Sequence, residues 1–445
     1  DEGERAQLLY ARAAEAAART GWRWLNFQQT AHNGRPAWDR RDAPAARAVL
    51  TRLEALLDPA RPYEVREVHH LAGWLAMIEG DARRAEQHHR LALEALQRGA
   101  APPEHGYLSK SGIAHALVAQ QKFAEALDWL RDPPHSEARF TAVYEASVLF
   151  IEACRARHEA RFADYAVHLA GGFAKAREFE LVRLFLNLPE DLAVLCADAL
   201  AQDIEPAFVK KIIARRNLAP PPNATSAWPW PVRIHALGVF RLEIDGAPAE
   251  AGQRGTDHRL NLLKLLAANG GRALSVQRVI DALWPDAEPD NGRKSFDMAL
   301  SRLRKLVQRD GRDEAFLIQE GKLLAAPALV WIDTAAFAAH ADRDLQAMDA
   351  DRLVRHAAQL VRQYQHGFLE GEAQDISWQI EPRERYKQRF TRAAGNIAAC
   401  LAAVGKLRAA IDTLERALEC EPLAENLVQR LMQAHADAGS RAEGM

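Results

Sequence analysis

The chain has few cysteines and no long apolar run. Four cysteines lie far apart among 445 residues without a C-x-x-C pair, which excludes a disulfide scaffold and favours reduced, buried thiols: Cys154, Cys196, Cys400 and Cys420. No stretch approaches the roughly 18 uncharged apolar residues of a membrane span. The first twenty residues are charged and helix-forming, unlike a secretory signal. We therefore expect a cytoplasmic protein that does not enter membranes.

Sequence motifs of catalysis are also missing. No G-x-x-x-x-G-K-[ST] phosphate loop occurs, because Gly321-Lys322 and Gly405-Lys406 lack both the upstream glycine and the following Ser or Thr. No nucleophile elbow, zinc-protease helix or pair of catalytic carboxylates is evident. The sequence thus predicts a protein that is not an enzyme and has no cofactor.

A metal site is geometrically possible on two helical segments that carry His69, His70, His88 and His89. Zinc sites usually combine histidine with cysteine or carboxylate ligands, and no such companions accompany these four. We expect them to be polar surface residues that bind no metal.

Helical patterns fill residues 1–218. The chain uses much alanine and few Val or Ile residues, and its length of 445 residues predicts two to four domains. Two helical segments meet at Gly80-Asp81, and Ala85 and Ala92 place small residues seven apart on a polar face. This pattern indicates a stacked array of tetratricopeptide-like helical repeats that receives an effector or a protein partner.

A linker interrupts the helical pattern at residues 219–231, where five prolines occur in thirteen residues. Proline fixes its own φ and disfavours helix at the residue before it, so this segment is predicted to be extended. Trp228 and Trp230 within it either contact a partner or, as we expect, pin the linker onto a neighbouring domain.

The periodicity changes at residues 232–333. Short strand-like runs with an Asp245-Gly246 turn precede two helices, of which the second has Ser275 as its N-cap and Pro285 as its stop. A basic helix opened by Asp290-Asn291, a hairpin and a last short strand follow. This order predicts a winged helix-turn-helix whose third helix enters the major groove of DNA and whose hairpin is the wing.

The basic helix, residues 293–309, is one-sided. Between residues 293 and 312 there are seven Arg or Lys against two Asp, whereas the whole chain has a net charge of −2. At 100° per residue the apolar side chains fall on one side: Phe296, Ala299, Leu300, Leu303, Leu306 and Val307. The other side carries the DNA-binding candidates Lys294, Met298, Ser301, Arg302, Lys305 and Arg309. A cationic helix face on a nearly neutral protein indicates a polyanion partner.

These candidates would have distinct roles. Lys and Arg neutralise phosphates, while Met298 and Ser301, with Lys294, would reach base edges near the helix start, Met298 against a thymine methyl group. Lys322 at the hairpin tip would touch the minor groove or backbone. Asp297 would accept from a cytosine amino group, pair with an arginine or repel wrong sequences. The alternative to DNA binding is an ordinary helix whose basic face is solvated and binds no partner.

A second helical region covers residues 334–445. Its last part has tetratricopeptide spacing, and Gly405 and Gly439 are 34 residues apart, the length of one repeat. The sequence stops at Met445 inside what would be the next helix, as in a fragment.

The segment from RLNLLKLLAANGG to SRLRKLV resembles the DNA-binding domain of Streptomyces antibiotic regulatory protein-type activators, which has an OmpR-like winged-helix fold. The downstream HGFLEGE, Trp378, the stretch from Glu381 to Arg385 and the repeat at 405–422 resemble the bacterial transcriptional activator domain. WPWPVRIHALGVFRLEIDG and GKLLAAPALVWIDTAAF look more like the MalT-like subgroup. Members of that subgroup usually carry a nucleotide-binding domain, and this chain lacks one, as a fragment or a shorter relative would.

The sequence therefore predicts a mainly α transcription regulator. Helical repeats at 1–218 sense an effector or partner, the linker is 219–231, the winged helix at 232–333 binds double-stranded promoter DNA, and the activator domain occupies 334–445. The resemblance implies contact with RNA polymerase and binding to direct repeats, with possible homo-oligomers on DNA. The alternative is an interaction scaffold whose repeats bind proteins and which lacks sequence-specific DNA binding.

Overall fold

The computed structural model describes residues 22–39, 41–131, 138–182, 189–222, 224–249, 257–308, 314–346, 348–373 and 376–439, with Leu9, Arg12, Glu15 and Arg19. The chain forms two compact units, Asp1–Ala224 and Thr225–Met445. Among the described helices, none is both long and apolar enough to cross a membrane.

The first unit is helical throughout its described elements, as predicted. Its helices are α1 (Arg23–Asp39), α2 (Ala43–Leu56), α3 (Pro62–Ile78), α4 (Ala82–Arg98), α5 (Tyr107–Ala119), α6 (Phe123–Trp129), α7 (Ala138–His158), α8 (Phe162–Glu178), α9 (Pro189–Ala201) and α10 (Pro206–Arg216), with a 3₁₀ turn at Pro103–Gly106. Helices adjacent in sequence pack against each other, most extensively α3 with α4 and α7 with α8.

The α3–α4 pair shows why neighbouring helices pack. Three residues join the two helices and Gly80 among them has a φ of 81°, so helices packed side by side must run antiparallel. Ala85 and Ala92, the small residues seven apart in the sequence, are both fully buried. Asp81 caps α4 by accepting a hydrogen bond from the backbone N–H of Arg84 at 3.0 Å.

The histidines of this pair are not surface residues, contrary to the sequence-based expectation. His89 is completely buried, and His69, His70 and His88 are partly buried. A Cβ added at Gly73 would lie 2.6 Å from His89 Nε2, and one added at Gly112 would lie 2.4 Å from its Nδ1. The imidazole therefore fills a slot that two helix glycines leave open. Within the described residues, no group of three or more ligand side chains could hold a metal.

The second unit combines helices with two small sheets. Its strands are β1 (Val232–His235), β2 (Arg241–Ile244), β3 (Ala247–Pro248), β4 (Leu274–Ser275), β5 (Phe316–Gln319), β6 (Lys322–Ala325) and β7 (Val330–Ile332). Its helices are α11 (His258–Ala268), α12 (Val276–Leu283), α13 (Pro289–Val307), α14 (Asp333–Ala341), α15 (Ala350–Tyr364), α16 (Ser377–Ala403), α17 (Leu407–Cys420) and α18 (Glu425–Asp437).

The order of strands, helices, hairpin and last strand agrees with the prediction for a winged helix. One sheet has the order β3-β2-β1-β7, with β7 parallel to β1, and the other has the order β4-β6-β5. Asp245-Gly246 joins β2 to β3 and Glu320-Gly321 joins β5 to β6, with positive φ at all four residues. Two-residue turns of this kind match the twist of a hairpin.

The tryptophans of the proline-rich segment are buried, as expected if they pin it. Trp228 is 3% exposed and Trp230 is 8% exposed. Trp230 Nε1 donates to the carbonyl of Thr225 at 2.8 Å, and Arg233 Nη2 donates to the carbonyl of Trp228 at 2.9 Å. The first bond lies within the segment, and the second ties the segment to β1.

Helices α16 and α18 end in the same way, with a glycine of positive φ. Gly405 follows α16 with a φ of 77°, and Gly439 follows α18 with a φ of 79°. Ala410, Leu414 and Ala417 of α17 are buried. The 34-residue glycine spacing in the sequence thus coincides with equivalent helix ends.

The HGFLEGE segment pairs with the backbone that follows β1. Gly238 N–H donates to the carbonyl of Gly367 at 2.7 Å, and Leu369 N–H donates to the carbonyl of Ala236 at 2.8 Å. Glu370 N–H donates to the carbonyl of Gly238 at 2.9 Å, and Leu237 bridges Phe368. The segment therefore hydrogen-bonds to the backbone that continues from β1, beside the winged-helix sheet.

Side chains from beyond residue 333 cap the carboxyl end of α11. Thr334 Oγ1 donates to the carbonyl of Ala267 at 2.7 Å, and Arg385 donates to that of Ala268. Tyr386 Oη donates to both carbonyls, at 3.0 and 3.1 Å. The last carbonyls of a helix have no partner within the helix, and burying them unpaired is costly.

One hydrophobic core runs through the whole second unit. Its buried side chains extend from Val232 in β1 through α11 and α13 to Ala434 in α18. The regions predicted on either side of residue 333 therefore share a core.

We predict that the imidazole of His89 is neutral at pH 5. Burial, and then the charge of His88, lower the pKa of His89 to about 3, whereas an unperturbed histidine titrates near 6.5. Because the unfolded chain takes up this proton and the folded chain does not, the contribution of His89 to stability is lost as pH falls from 6.5 towards 3. Ring chemical shifts of histidine-labelled protein would check this, and a titration of His89 near 6.5 would contradict it.

We predict that Tyr386→Phe lowers the stability of the second unit by about 1 kcal/mol, because the hydroxyl that binds two carbonyls of α11 is removed. Calorimetry of the full chain should show a Tm lower by about 2–4 °C for that transition. Tyr63→Phe is the control, since Tyr63 lies in the first unit, where its hydroxyl hydrogen-bonds His105, and the Tm of the second unit should not change. An unchanged Tm for Tyr386→Phe would show that the caps are dispensable.

Candidate nucleic-acid interface

Helix α13 is held in place by its apolar side. Phe296 and Leu303 are completely buried, and Ala299, Leu300 and Val307 are at most 8% exposed, while Leu306 is only partly buried. A Cβ added at Gly292 would lie 2.7 Å from Ile280 Cγ2 in α12. Glycine thus lets α12 and α13 approach closely, and the amphipathic pattern of the sequence is confirmed.

The start of α13 differs from the expectation. The helix begins at Pro289, so Asp290 and Asn291 lie inside its first turn and do not cap it. Pro289 at the first position is favourable because its missing N–H needs no partner there. Lys294, Met298 and Ser301 consequently lie in the second, third and fourth turns, beyond the helix start.

The opposite side of α13 is exposed. Met298 is 56% exposed, which is unusual for an apolar side chain. Lys294, Ser301, Arg302 and Lys305 are also exposed. Within the described residues, the basic groups of Lys294, Arg302 and Lys305 form no ion pair. We call these five residues the basic face. Arg309, the remaining candidate on this helix, lies outside the described residues.

Asp297 pairs with an arginine of its own helix. Its Oδ2 lies 3.2 Å from Arg293 Nε, and both side chains are 56% exposed. Of the three roles left open by the sequence, the geometry favours pairing with an arginine. Exposed pairs of this spacing contribute at most a few tenths of a kcal/mol, so the pair is easily opened.

Arg304 fixes the helix to the wing, a role that the sequence pattern did not reveal. Its Nε donates to the carbonyl of Phe316 at 2.9 Å, and its Nη2 lies 3.2 Å from Glu314 Oε2. Phe316 begins β5, so the bond joins the carboxyl end of α13 to the hairpin. Arg304 therefore has a structural role, whereas Arg302 and Lys305 form no ion pair within the described residues.

Lys322 lies beside the tip of the wing. The tip itself is Glu320-Gly321, and Lys322 is the first residue of β6, exposed and paired in register with Gln319 and Ser275. Ser275 also caps α12, as predicted, by accepting from the N–H of Arg278 at 3.2 Å. The wing is thus hydrogen-bonded to the strand that leads into the helix-turn-helix.

Two protein families match this unit. Residues 252–320 match the family described as "Transcriptional regulatory protein, C terminal". Residues 332–445 match the "Bacterial transcriptional activator domain". The first match spans α11 to the wing hairpin, and the second starts at the last residue of β7.

Curated relatives include the transcriptional regulatory protein EmbR of Mycobacterium bovis and of Mycobacterium tuberculosis. Each is 35% identical over 77 residues, which are 17% of this chain and 19% of the relative. The chain thus spans about a fifth of the length of the curated relatives it matches.

Solved structures give no independent argument for the fold. Mycobacterium tuberculosis EmbR in complex with a low affinity phosphopeptide is 24% identical with a TM-score of 0.37, and the likeness covers 48% of this chain and 57% of that chain. The tetratricopeptide domain of P58(IPK) is 11% identical with a TM-score of 0.22, over 94% and 90% of the two chains.

The family matches agree with the architecture. The helix-turn-helix, its exposed basic face and the first strand of the wing lie within the first match, and the helices that cap α11 lie within the second. Neither family description is that of an enzyme. The second unit therefore combines a region similar to the C-terminal part of transcriptional regulatory proteins with a region similar to the bacterial transcriptional activator domain.

Proposed function

We propose that this protein is a bacterial transcriptional activator that binds promoter DNA in the cytoplasm through α13 and the wing. The observation that carries the proposal is the basic face, where exposed Lys294, Arg302 and Lys305 have no acidic partner among the described residues. A helix whose other side is fixed in a core presents these cations at constant geometry. Such a surface suits the major groove of a duplex.

The five residues divide into two roles by their chemistry. Lys294, Arg302 and Lys305 neutralise phosphates, which supplies affinity and makes binding depend on salt. Met298 and Ser301 contact base edges, since an exposed methionine can pack on a thymine methyl group and a serine hydroxyl can hydrogen-bond to several bases. Arg309 would extend the phosphate contacts.

The wing adds a DNA contact beside the one made by α13. Lys322 at the start of β6 faces the DNA backbone or the adjacent minor groove. Glu320 at the tip is exposed as well, so its carboxylate would have to point away from the phosphates. We therefore assign Lys322 a supporting role.

The remaining roles follow from the resemblance. The activator domain, at 334–445, would contact RNA polymerase or set the spacing of protomers on tandem sites. The repeats at 1–218 would receive an effector or a protein partner and shift the DNA-binding unit between two states. A MalT-like relative would couple this to a nucleotide-binding domain elsewhere in the protein.

A salt titration separates this proposal from an interaction scaffold. Binding of the full chain to a labelled duplex of upstream DNA should weaken steeply with salt, and Lys305→Ala should weaken it further. Arg416→Ala on α17 is the control with the same charge change, because Arg416 is exposed and lies outside the helix-turn-helix. Equal effects of the two variants, or affinity no greater than that of a neutral protein, would favour the scaffold.

We predict that Arg302→Ala weakens binding to all duplexes alike. The loss of one phosphate contact should reduce the slope of log K against log salt by about one unit. Fluorescence anisotropy between about 50 and 200 mM salt measures that slope. If the slope equals that of the unaltered protein, Arg302 contacts no phosphate.

We predict that Met298→Ala relaxes sequence preference. Removing an apolar contact with a thymine methyl group should reduce the affinity ratio of a selected site over a scrambled site by about tenfold, roughly 1.4 kcal/mol. The site is first obtained by selection from random duplexes with the unaltered protein. A uniform loss on both duplexes would remove Met298 from base recognition.

A further inference from the structure

Arg293 is a cation of α13 that does not belong to the basic face. It lies in the second turn of the helix, and its Nε donates to Asp297 Oδ2 at 3.2 Å, one turn later. Its guanidinium carbon also lies 5.8 Å from the ring centroid of Phe296, which is completely buried. The guanidinium group is therefore held between a carboxylate at the surface and a ring that is fixed in the core.

Asp297 brings this guanidinium group to the edge of the basic face. At about 100° per residue, Asp297 lies about 40° around the helix from Ser301 and about 60° from Lys294, both of which belong to that face. Arg293 itself lies about 80° from Ser301. Because the side chain of Arg293 reaches Asp297, its charged end lies closer to the basic face than its own backbone does.

The bond to Asp297 occupies only one edge of the guanidinium group. The two terminal nitrogens of Arg293, Nη1 and Nη2, form no hydrogen bond within the part of the chain that the structure describes, and the side chain is 56% exposed. Two parallel N–H groups of an arginine match O6 and N7 of guanine, which are both acceptors in the major groove. A lysine has no planar fork and cannot make this pair of bonds in the same way.

The carboxylate of Asp297 has a physical reason to lie at this edge. It is exposed beside cations that we assign to phosphate contacts, and an unpaired carboxylate there would repel every duplex. Paired with Arg293, its charge is compensated, and it restricts the orientation of the guanidinium group. The pair contributes little in water, but a duplex that lies against α13 excludes water and strengthens it.

We propose that Arg293, oriented by Asp297, recognises one guanine of the binding site through hydrogen bonds from Nη1 and Nη2 to O6 and N7. Arg293 is then a specificity-determining residue for that base pair, and Asp297 is a positioning residue. The inference rests on the proposed binding of α13 in the major groove, and it adds a base preference that the basic face alone does not supply.

Guanine analogues test the contact directly. Selection from random duplexes with the full chain identifies the guanines of the preferred site. Each guanine is then replaced in turn by 7-deazaguanine, which lacks the N7 acceptor, and binding is measured by fluorescence anisotropy. At one position the replacement should weaken binding of the unaltered protein by about fivefold or more, whereas it should change binding of Arg293→Ala by less than about twofold.

Two further variants separate recognition from charge. Arg293→Lys keeps the charge and loses the fork, so the preference for guanine at that position should fall about tenfold while affinity for a scrambled duplex stays within about twofold. Asp297→Ala should raise affinity for the scrambled duplex, because a carboxylate is lost, and should lower the guanine preference, because the orientation is lost. Arg416→Lys on α17 is the matched control and should change neither property.

The outcomes distinguish this inference from the proposed function. A preferred site without guanine, or equal effects of 7-deazaguanine on the unaltered protein and on Arg293→Ala at every position, would overturn the inference and leave DNA binding intact. An equal loss on all duplexes in Arg293→Lys and Arg293→Ala would assign Arg293 to a phosphate and would also overturn it. Failure of the unaltered protein to bind any duplex would contradict the proposed function, and this inference with it.

Discussion

The carboxyl end of α11 is the constraint on which the second unit depends. This helix is buried along most of its length, from Leu260 to Ala268, so its last carbonyl groups cannot bind water. Thr334, Arg385 and Tyr386 supply the donors, and all three lie beyond the winged-helix strands. The winged helix therefore relies on side chains of residues 334–445 to cap α11, and the two regions also share one hydrophobic core.

This arrangement fixes the position of α13. Helix α13 packs through Phe296 and Leu303 into the core that α11 organises, and Arg304 joins it to the wing. A helix held on one side by packing presents its other side with little conformational freedom, and preorganisation lowers the cost of binding. The helices of residues 334–445 thereby help to position α13, because they cap α11, against which α13 packs.

The sequence predicted what depends on local patterns. The helical spacing of apolar residues predicted the two sides of α13, and Ser275 was correctly predicted as a helix cap. The glycine turn at Glu320-Gly321 predicted the hairpin. It did not predict what depends on distant residues. The HGFLEGE segment pairs with residues about 130 positions earlier, and no local pattern indicates this partner. The start of α13 was predicted at Asp290-Asn291, whereas the helix begins at Pro289 and includes Gly292, where a Cβ would lie 2.7 Å from Ile280 Cγ2. His89 looked like a surface residue, and two glycines from other helices bury it.

Affinity cleavage measures directly whether α13 lies in the major groove. A Ser301→Cys variant that carries an iron chelate is bound to a selected duplex, and the cleaved positions on the two strands are compared. If α13 lies in the major groove, cleavage will be offset in the direction typical of that groove and centred on the selected site, with none beyond background from equally treated unsubstituted protein. Cleavage in the minor-groove direction, or no cleavage by a variant that still binds the duplex, would contradict it.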